Sequence, residues 1–253
     1  MTRESISERI HKEGSTVEIA QVKLGIIGAM DVEVETLMAH TEDAQVHERA
    51  GMRFCEGTLA GTPVVIAKCG IGKVAAGMCV QVMCDLYGVT HIVNTGVAGS
   101  LDAKIDIADL VVSTDALYHD MDVTALGYEP GQVPGMDCKA FEADAGLRAA
   151  IERAAAAAAP DVHVFAGRVV SGDQFIASGE AKERLAQEFG GLCCEMEGAA
   201  IAHACHVNGV PFAIVRAISD KADGSAEMAY PEFEATSAVH CAAVVEELCR
   251  SGL

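Results

Sequence analysis

An apolar run of strand length, Pro211 to Ile218 (PFAIVRAI), follows directly on a helical stretch and stops at Ser219 and Asp220. That pairing constrains the fold more than any other feature of the chain. Ala199, Ala200, Ile201, Ala204 and Cys205 give the helix one apolar face. Asn208-Gly209 ends it, and Pro211 prevents its continuation. Before the helix, GLCCEME reads as the end of a strand, with Glu195 and Glu197 flanking Met196. Ligands of open α/β sheets bind beyond the carboxyl ends of the strands, where Glu197 and Asp220 would both lie. Taken singly, such carboxylates are more often solvated loop residues or helix caps, and Glu197 suits a helix N-terminus by charge alone. Arg216 favours a polar site instead, because it interrupts an apolar strand without an evident solvent face.

The pattern of strand, glycine turn and helix recurs from Lys23 onward. KLGIIGAM reads as a buried strand, and DVEVETLMAH opens a helix whose Asp31, Glu33 and Glu35 suit the helix dipole. RFCEGTLAGTPVVIAKCG reads as a hairpin turning at Ala60-Gly61, followed by CGIGK and a helix. A glycine loop that opens a helix suggests phosphate. Here the spacing fails both common fingerprints, with Ala67 and Val74 against a P-loop and Ala75 against a dinucleotide turn. HIVNTG and IADLVVST read as strands, FEADAGLRAAIERAAAAA as a helix, and VFAGRVVSGDQFIAS as a strand and loop. EFEATSAVHCAAVVEELC reads as a closing helix with Ala235, Ala238, Val239, Ala242 and Val245 on one face. The alternation predicts an α/β fold. Residues 1–21 read as a tail outside the core, and residues 22–253 as a single domain.

Composition excludes several classes. A formal charge of −19 argues against nucleic acid, whose phosphates demand a basic face. No apolar stretch is long and uniform enough to span a membrane. Met1 to Ala20 lacks the apolar core of a secretory signal. Several of the ten cysteines fall inside apolar runs, so reduced core thiols of a cytoplasmic protein are expected rather than disulfides. His203 and His206 form an H-x-x-H without an evident third ligand, so no metal is expected.

GAMDVE, CGIGK, NTGVAGS, VSGDQFI, CEMEGAAIAH and RAISD occur in this order over about residues 23–250. Together they resemble the 5′-methylthioadenosine/S-adenosylhomocysteine nucleosidases of the nucleoside phosphorylase-like superfamily. The resemblance implies a three-layer α/β/α sandwich with a mixed central sheet and a cofactor-independent homodimer. The implied reaction is hydrolysis of the N-glycosidic bond of 5′-methylthioadenosine, S-adenosylhomocysteine and 5′-deoxyadenosine.

Residue roles follow from the same resemblance. Glu33 activates the attacking water, and Asp220 is the general acid at purine N7, positioned by Arg216 and Ser219. Glu197 receives the ribose hydroxyls, with Glu195 beside it and Met196 packed on the sugar. Met30, Ile71 and Val97 line the site; Phe175 stacks on the purine and Ile176 offers backbone groups to its edge. Tyr230 caps the alkylthio end. Val123 and Leu126 reach the neighbouring subunit's site. Val97 is a departure, since the family often carries Ser there, and Val cannot donate a side-chain hydrogen bond. Three alternatives stay open: a futalosine-type nucleosidase, a purine nucleoside phosphorylase, and a non-catalytic nucleoside-binding protein.

Overall fold

The computed structural model describes residues 22–221 and 226–253; the side chains of 226–232 and 234–236 lie outside that description. The expected tail at 1–21 lies outside it too. Ten strands join one mixed sheet. They are β1 (Leu24–Gly28), β2 (Glu42–Arg49), β3 (Met52–Leu59), β4 (Thr62–Lys68), β5 (His91–Ser100), β6 (Leu110–Tyr118), β7 (Phe141–Glu142), β8 (Val164–Ser171), β9 (Gly191–Glu195) and β10 (Phe212–Asp220). The helices are α1 (Asp31–Ala39), α2 (Lys73–Val82), α3 (Ala145–Ala158), α4 (Gly179–Phe189), α5 (Gly198–Asn208) and α6 (Ala226–Ser251). Among the described residues no helix is long and apolar enough to cross a membrane.

The strand order is β10-β6-β8-β9-β5-β1-β4-β3-β2, and β10 also pairs with β5, so five strands close on themselves beside an open wing. Strands β4, β1, β5 and β10 run parallel to one another in sequence across the sheet. Successive side chains leave opposite faces of a strand. Leu24 and Ile26 therefore pack with Val64, Val93, Val215 and the helices α1, α3 and α6, while Ile27 joins Val65, Ile92 and Ile214 under α2 and α5. The result is the expected α/β/α arrangement around a mixed sheet.

Two local expectations change, and one strand appears where none was read. Phe141–Glu142 is not helical; it pairs with Asp115 and Ala116 of β6, and α3 begins at Ala145 behind Asp144, whose side chain accepts from the Leu147 N–H at 2.8 Å. On α6 Val239 points outward, 61% exposed, while Ala238, Cys241, Ala242, Val245 and Leu248 are buried. Packing on β10, β5 and α3 selects that stripe, and Val239 lies one residue to its side. Strand β2 (EDAQVHER) carries no apolar alternation because it is an almost fully exposed edge, held by pairing with β3.

Candidate active site

The carboxyl ends of β1, β5, β9 and β10 and the loop after β4 open onto one cavity. It is lined by Met30, Glu33, Ile71, Val97, Phe175, Glu195, Met196, Glu197, Arg216, Ser219 and Asp220, together with Ala29, Ala98, Gly99 and Cys194. Eleven of the fifteen expected site residues are thus brought together. Ile176 is not among the lining residues; its side chain packs with Leu101, Leu117, Val170 and Leu185. Val123 and Leu126 flank a short exposed turn outside the cavity. Tyr230 falls on α6, but its side chain lies outside the described residues.

Glu33 sits in the first turn of α1 and reaches back over the helix start, as an acid at that position commonly does. Its Oε2 accepts the backbone N–H groups of Ala29 at 2.6 Å and Met30 at 3.0 Å, and its Oε1 accepts that of Val97 at 3.0 Å. A carboxylate has about four lone-pair sites, so one on Oε1 is left open. Burial raises the Glu33 pKa, against Arg216 and the three N–H donors, which lower it. The backbone of β5 comes unusually close at Gly96, where any Cβ would overlap Glu33 Oε1 and Arg216 Nη1.

Arg216 is fully buried and stands among three carboxylates. Its Nη2 contacts Glu195 Oε2 and lies 3.8 Å from Glu197 Oε2, and its Nη1 lies 3.9 Å from Glu33 Oε1. Asn94, buried on β5, accepts from Arg216 Nη2 at 2.5 Å and donates to the Ile27 carbonyl at 2.9 Å. Glu195 is a structural hub. Besides Arg216 it accepts from the Ser171 hydroxyl and from the N–H groups of Glu197 at 3.1 Å and Gly198 at 2.8 Å. Glu197 accepts from the Gly72 N–H at 2.8 Å through Oε1, which ties it to the glycine loop. Burial pushes Glu197 up to about 7, with Glu195 adding to the rise and Arg216 opposing it.

Asp220 is held differently from the expectation. Arg216 is occupied with the three glutamates. Ser219 Oγ donates to Asp220 Oδ1 at 3.0 Å, as expected, and the second holder is Lys182 of α4, whose ammonium contacts Asp220 Oδ2. A register shift between Ile218 and Asp220 at the end of β10 aims the carboxylate, in the manner of a β-bulge beside an active site. The signal for Lys182 was present in the sequence as a lysine on the buried stripe of a helix that also carries Leu185 and Phe189, capped by Ser178. Asn94 and Ser171 stand inside the motifs NTGVAGS and VSGDQFI, but nothing in the sequence singled out either side chain.

Among the described residues the glycine loop holds no free cation. Lys73 Nζ lies 2.6 Å from Asp120 and 3.6 Å from Asp173, and Asp173 also accepts the Lys73 N–H at 2.9 Å. Away from the cavity, Asp137, Cys138 and His206 bring ligand atoms within 4.8 Å of one another at the surface.

The model of the phosphorylase superfamily matches residues 23–250. A 5′-methylthioadenosine/S-adenosylhomocysteine nucleosidase of Halalkalibacterium halodurans is 41% identical over 224 residues, 88% of this chain and 96% of that protein. The chain belongs to this nucleosidase family. Among solved structures, the nucleosidase of Colwellia psychrerythraea 34H, in complex with adenine, superposes with a TM-score of 0.87 at 38% identity, covering 90% of this chain and 95% of that one. A futalosine hydrolase of Helicobacter pylori superposes with a TM-score of 0.86 at 32% identity, over 91% of this chain and 98% of that one. Family membership accounts for the order of the six motifs along the chain, and the cavity accounts for why they occur together.

Proposed function

We propose that this protein hydrolyses the N-glycosidic bond of 5′-methylthioadenosine and S-adenosylhomocysteine, and also of 5′-deoxyadenosine, releasing adenine and the 5′-substituted ribose. One observation carries the reading. Glu33, Glu197 and Asp220 line a single cavity, and among the described residues each cation in or beside it is already paired with carboxylates. Phosphate as nucleophile needs unpaired cationic partners to replace its hydration. Water needs a base, and Glu33 has a lone-pair site left for one.

In this reading positive charge builds on the ribose as the bond to the purine breaks, as in sugar hydrolysis. Glu33 takes a proton from the water. Glu197 receives ribose hydroxyls on the acceptor sites that Gly72 leaves free, and Met196 packs on the sugar. Asp220 delivers a proton to N7, which converts a poor leaving anion into neutral adenine. Phe175, 54% exposed at the cavity edge, stacks on the purine. Glu195 and Arg216 act on the substrate through Glu33 and Glu197.

The same reading includes a homodimer. The groove between α2 and α5 is lined by Val74, Ala204 and Val207, and Val74, Met78, Val207 and Leu126 are exposed apolar side chains. A second copy covering this face would bring Val123 and Leu126 to the neighbour's cavity. The ten cysteines are free thiols, most of them buried, in keeping with a cytoplasmic setting.

The test is incubation with 5′-methylthioadenosine, with and without phosphate, followed by identification of the sugar. Free methylthioribose at equal rates supports the nucleosidase. A sugar 1-phosphate would overturn it in favour of a phosphorylase. Turnover of a 6-oxopurine nucleoside such as futalosine, with none of the adenosine substrates, would move the assignment to the futalosine hydrolases.

A further inference from the structure

A lysine with no solvent exposure is costly unless its charge is met. Lys182 is such a residue. It projects from the buried stripe of α4, and its ammonium has two partners among the described residues: the Asp220 carboxylate, at Oδ2, and the backbone carbonyl of Lys221. The other groups around the pair do not compete for it. Cys194 of β9 is a buried thiol whose pKa burial pushes up to about 12. The Lys221 side chain, next in sequence to Asp220, is paired with Asp106. Ser219 Oγ donates to the other carboxylate oxygen at 3.0 Å. Gly99 lies so close that a Cβ there would stand 2.8 Å from Asp220 Oδ2.

Asp220 is therefore gripped at both oxygens, with a proton-bearing cation on one. An acid that serves each turnover must be reprotonated, and in this arrangement the nearest store of protons is the Lys182 ammonium. We infer that Lys182 is a positioning residue for the general acid: it orients the Asp220 carboxylate toward the purine and replaces the proton that Asp220 passes to N7. This inference rests on the nucleosidase reading. As the C1′–N9 bond breaks, its electron pair moves into the purine. N7 takes a proton from Asp220, and Asp220 takes one from Lys182. The resulting amine recovers a proton from solvent, and Glu33 returns to solvent the one it took from the attacking water, so over a turnover none is gained or lost. Lys182 itself touches neither the sugar nor the water, and its effect belongs to leaving-group departure.

The experiment is a double-mutant cycle on 5′-methylthioadenosine with Lys182→Met, Asp220→Asn and the two combined. Lys182→Met is expected to lower kcat by roughly 10²-fold, within the range of acid–base assistance, with KM nearly unchanged. Added to Asp220→Asn, the same change is expected to lower kcat no further, because the group it acts through is already gone. A purely structural lysine would raise KM or lower kcat by the same factor in both backgrounds, and that outcome overturns the inference. Lys182→Met with full activity, beside an inactive Asp220→Asn, also overturns it and leaves the nucleosidase reading standing. An active Asp220→Asn overturns the acid assignment and Lys182's role with it. Folding is checked by circular dichroism and adenine binding. Should Lys182→Met not fold, Lys182→Arg keeps the charge but replaces a compact ammonium with a planar fork, and the same cycle is read with it.

Discussion

The backbone N–H of Val97 donates to Glu33 Oε1 at 3.0 Å, so the Glu33 carboxylate is anchored by a group that no side chain at position 97 can remove. Val at this position therefore leaves the hold on Glu33 intact. Val97→Ala is expected to reduce kcat/KM by less than about tenfold, the worth of one ordinary hydrogen bond or small contact. Gly96→Ala is expected to abolish turnover, because its Cβ would overlap both Glu33 and Arg216. Steady-state kinetics on the two folded variants check this, and equal losses would refute backbone anchoring.

Arg216 stands as a cation among three buried carboxylates. Arg216→Met leaves Glu195 and Glu197 facing each other without a cation. Breaking a buried charge cluster on one side costs about 3–5 kcal/mol. Urea unfolding is expected to show a loss of that size together with loss of activity. A loss below about 1 kcal/mol, the level of an exposed ion pair, would contradict the burial argument.

Asp220→Asn retains the shape of the side chain and its contact with Ser219 but cannot pass on a proton. A loss of ~10²–10⁴-fold in kcat is expected with the fold preserved. Near-normal turnover in a well-folded variant removes Asp220 from the mechanism.

Burial lifts Glu197 to about 7, from 4.5 for the free side chain. If the ionised carboxylate receives the ribose hydroxyls, kcat/KM rises with pH through about 7, and Glu197→Gln lacks that limb. The stability contribution has the opposite sign. A carboxyl raised by folding holds its proton in the native state where the unfolded chain has lost it. Its contribution is complete below 4.5 and is lost as pH rises through about 7. Glu33 is shifted in the same direction and adds to the trend. Kinetics and urea midpoints between pH 4 and 9 read both effects; a pH-independent kcat/KM across neutrality would contradict the role of Glu197.

Light scattering is expected to report a dimer, and Val74→Glu on the α2 face to shift it toward monomer with loss of activity. A fully active monomer would refute the proposed pairing through α2, α5 and the Val123–Leu126 turn.

The resemblance of the six motifs singled out Glu33 among the acids; the residue pattern by itself determined the alternation of strands and helices and the end of β10 at Ser219 and Asp220. These are local matters: apolar periodicity, glycine and proline punctuation, and an arginine with no solvent face. It could not show β2, because an exposed edge strand needs no apolar pattern when its hydrogen bonds to β3 hold it. Nor could it choose between Ala238 and Val239 for the buried side of α6, since both are apolar and only the packed partners differ. Above all, the resemblance assigned Arg216 to Asp220. In the folded chain, Arg216 on β10 faces Glu33, Glu195 and Glu197, while Lys182, 38 residues before Asp220, reaches it from α4. Which buried charge meets which is set by where side chains from distant segments come together, and that is decided only when the strand order is closed.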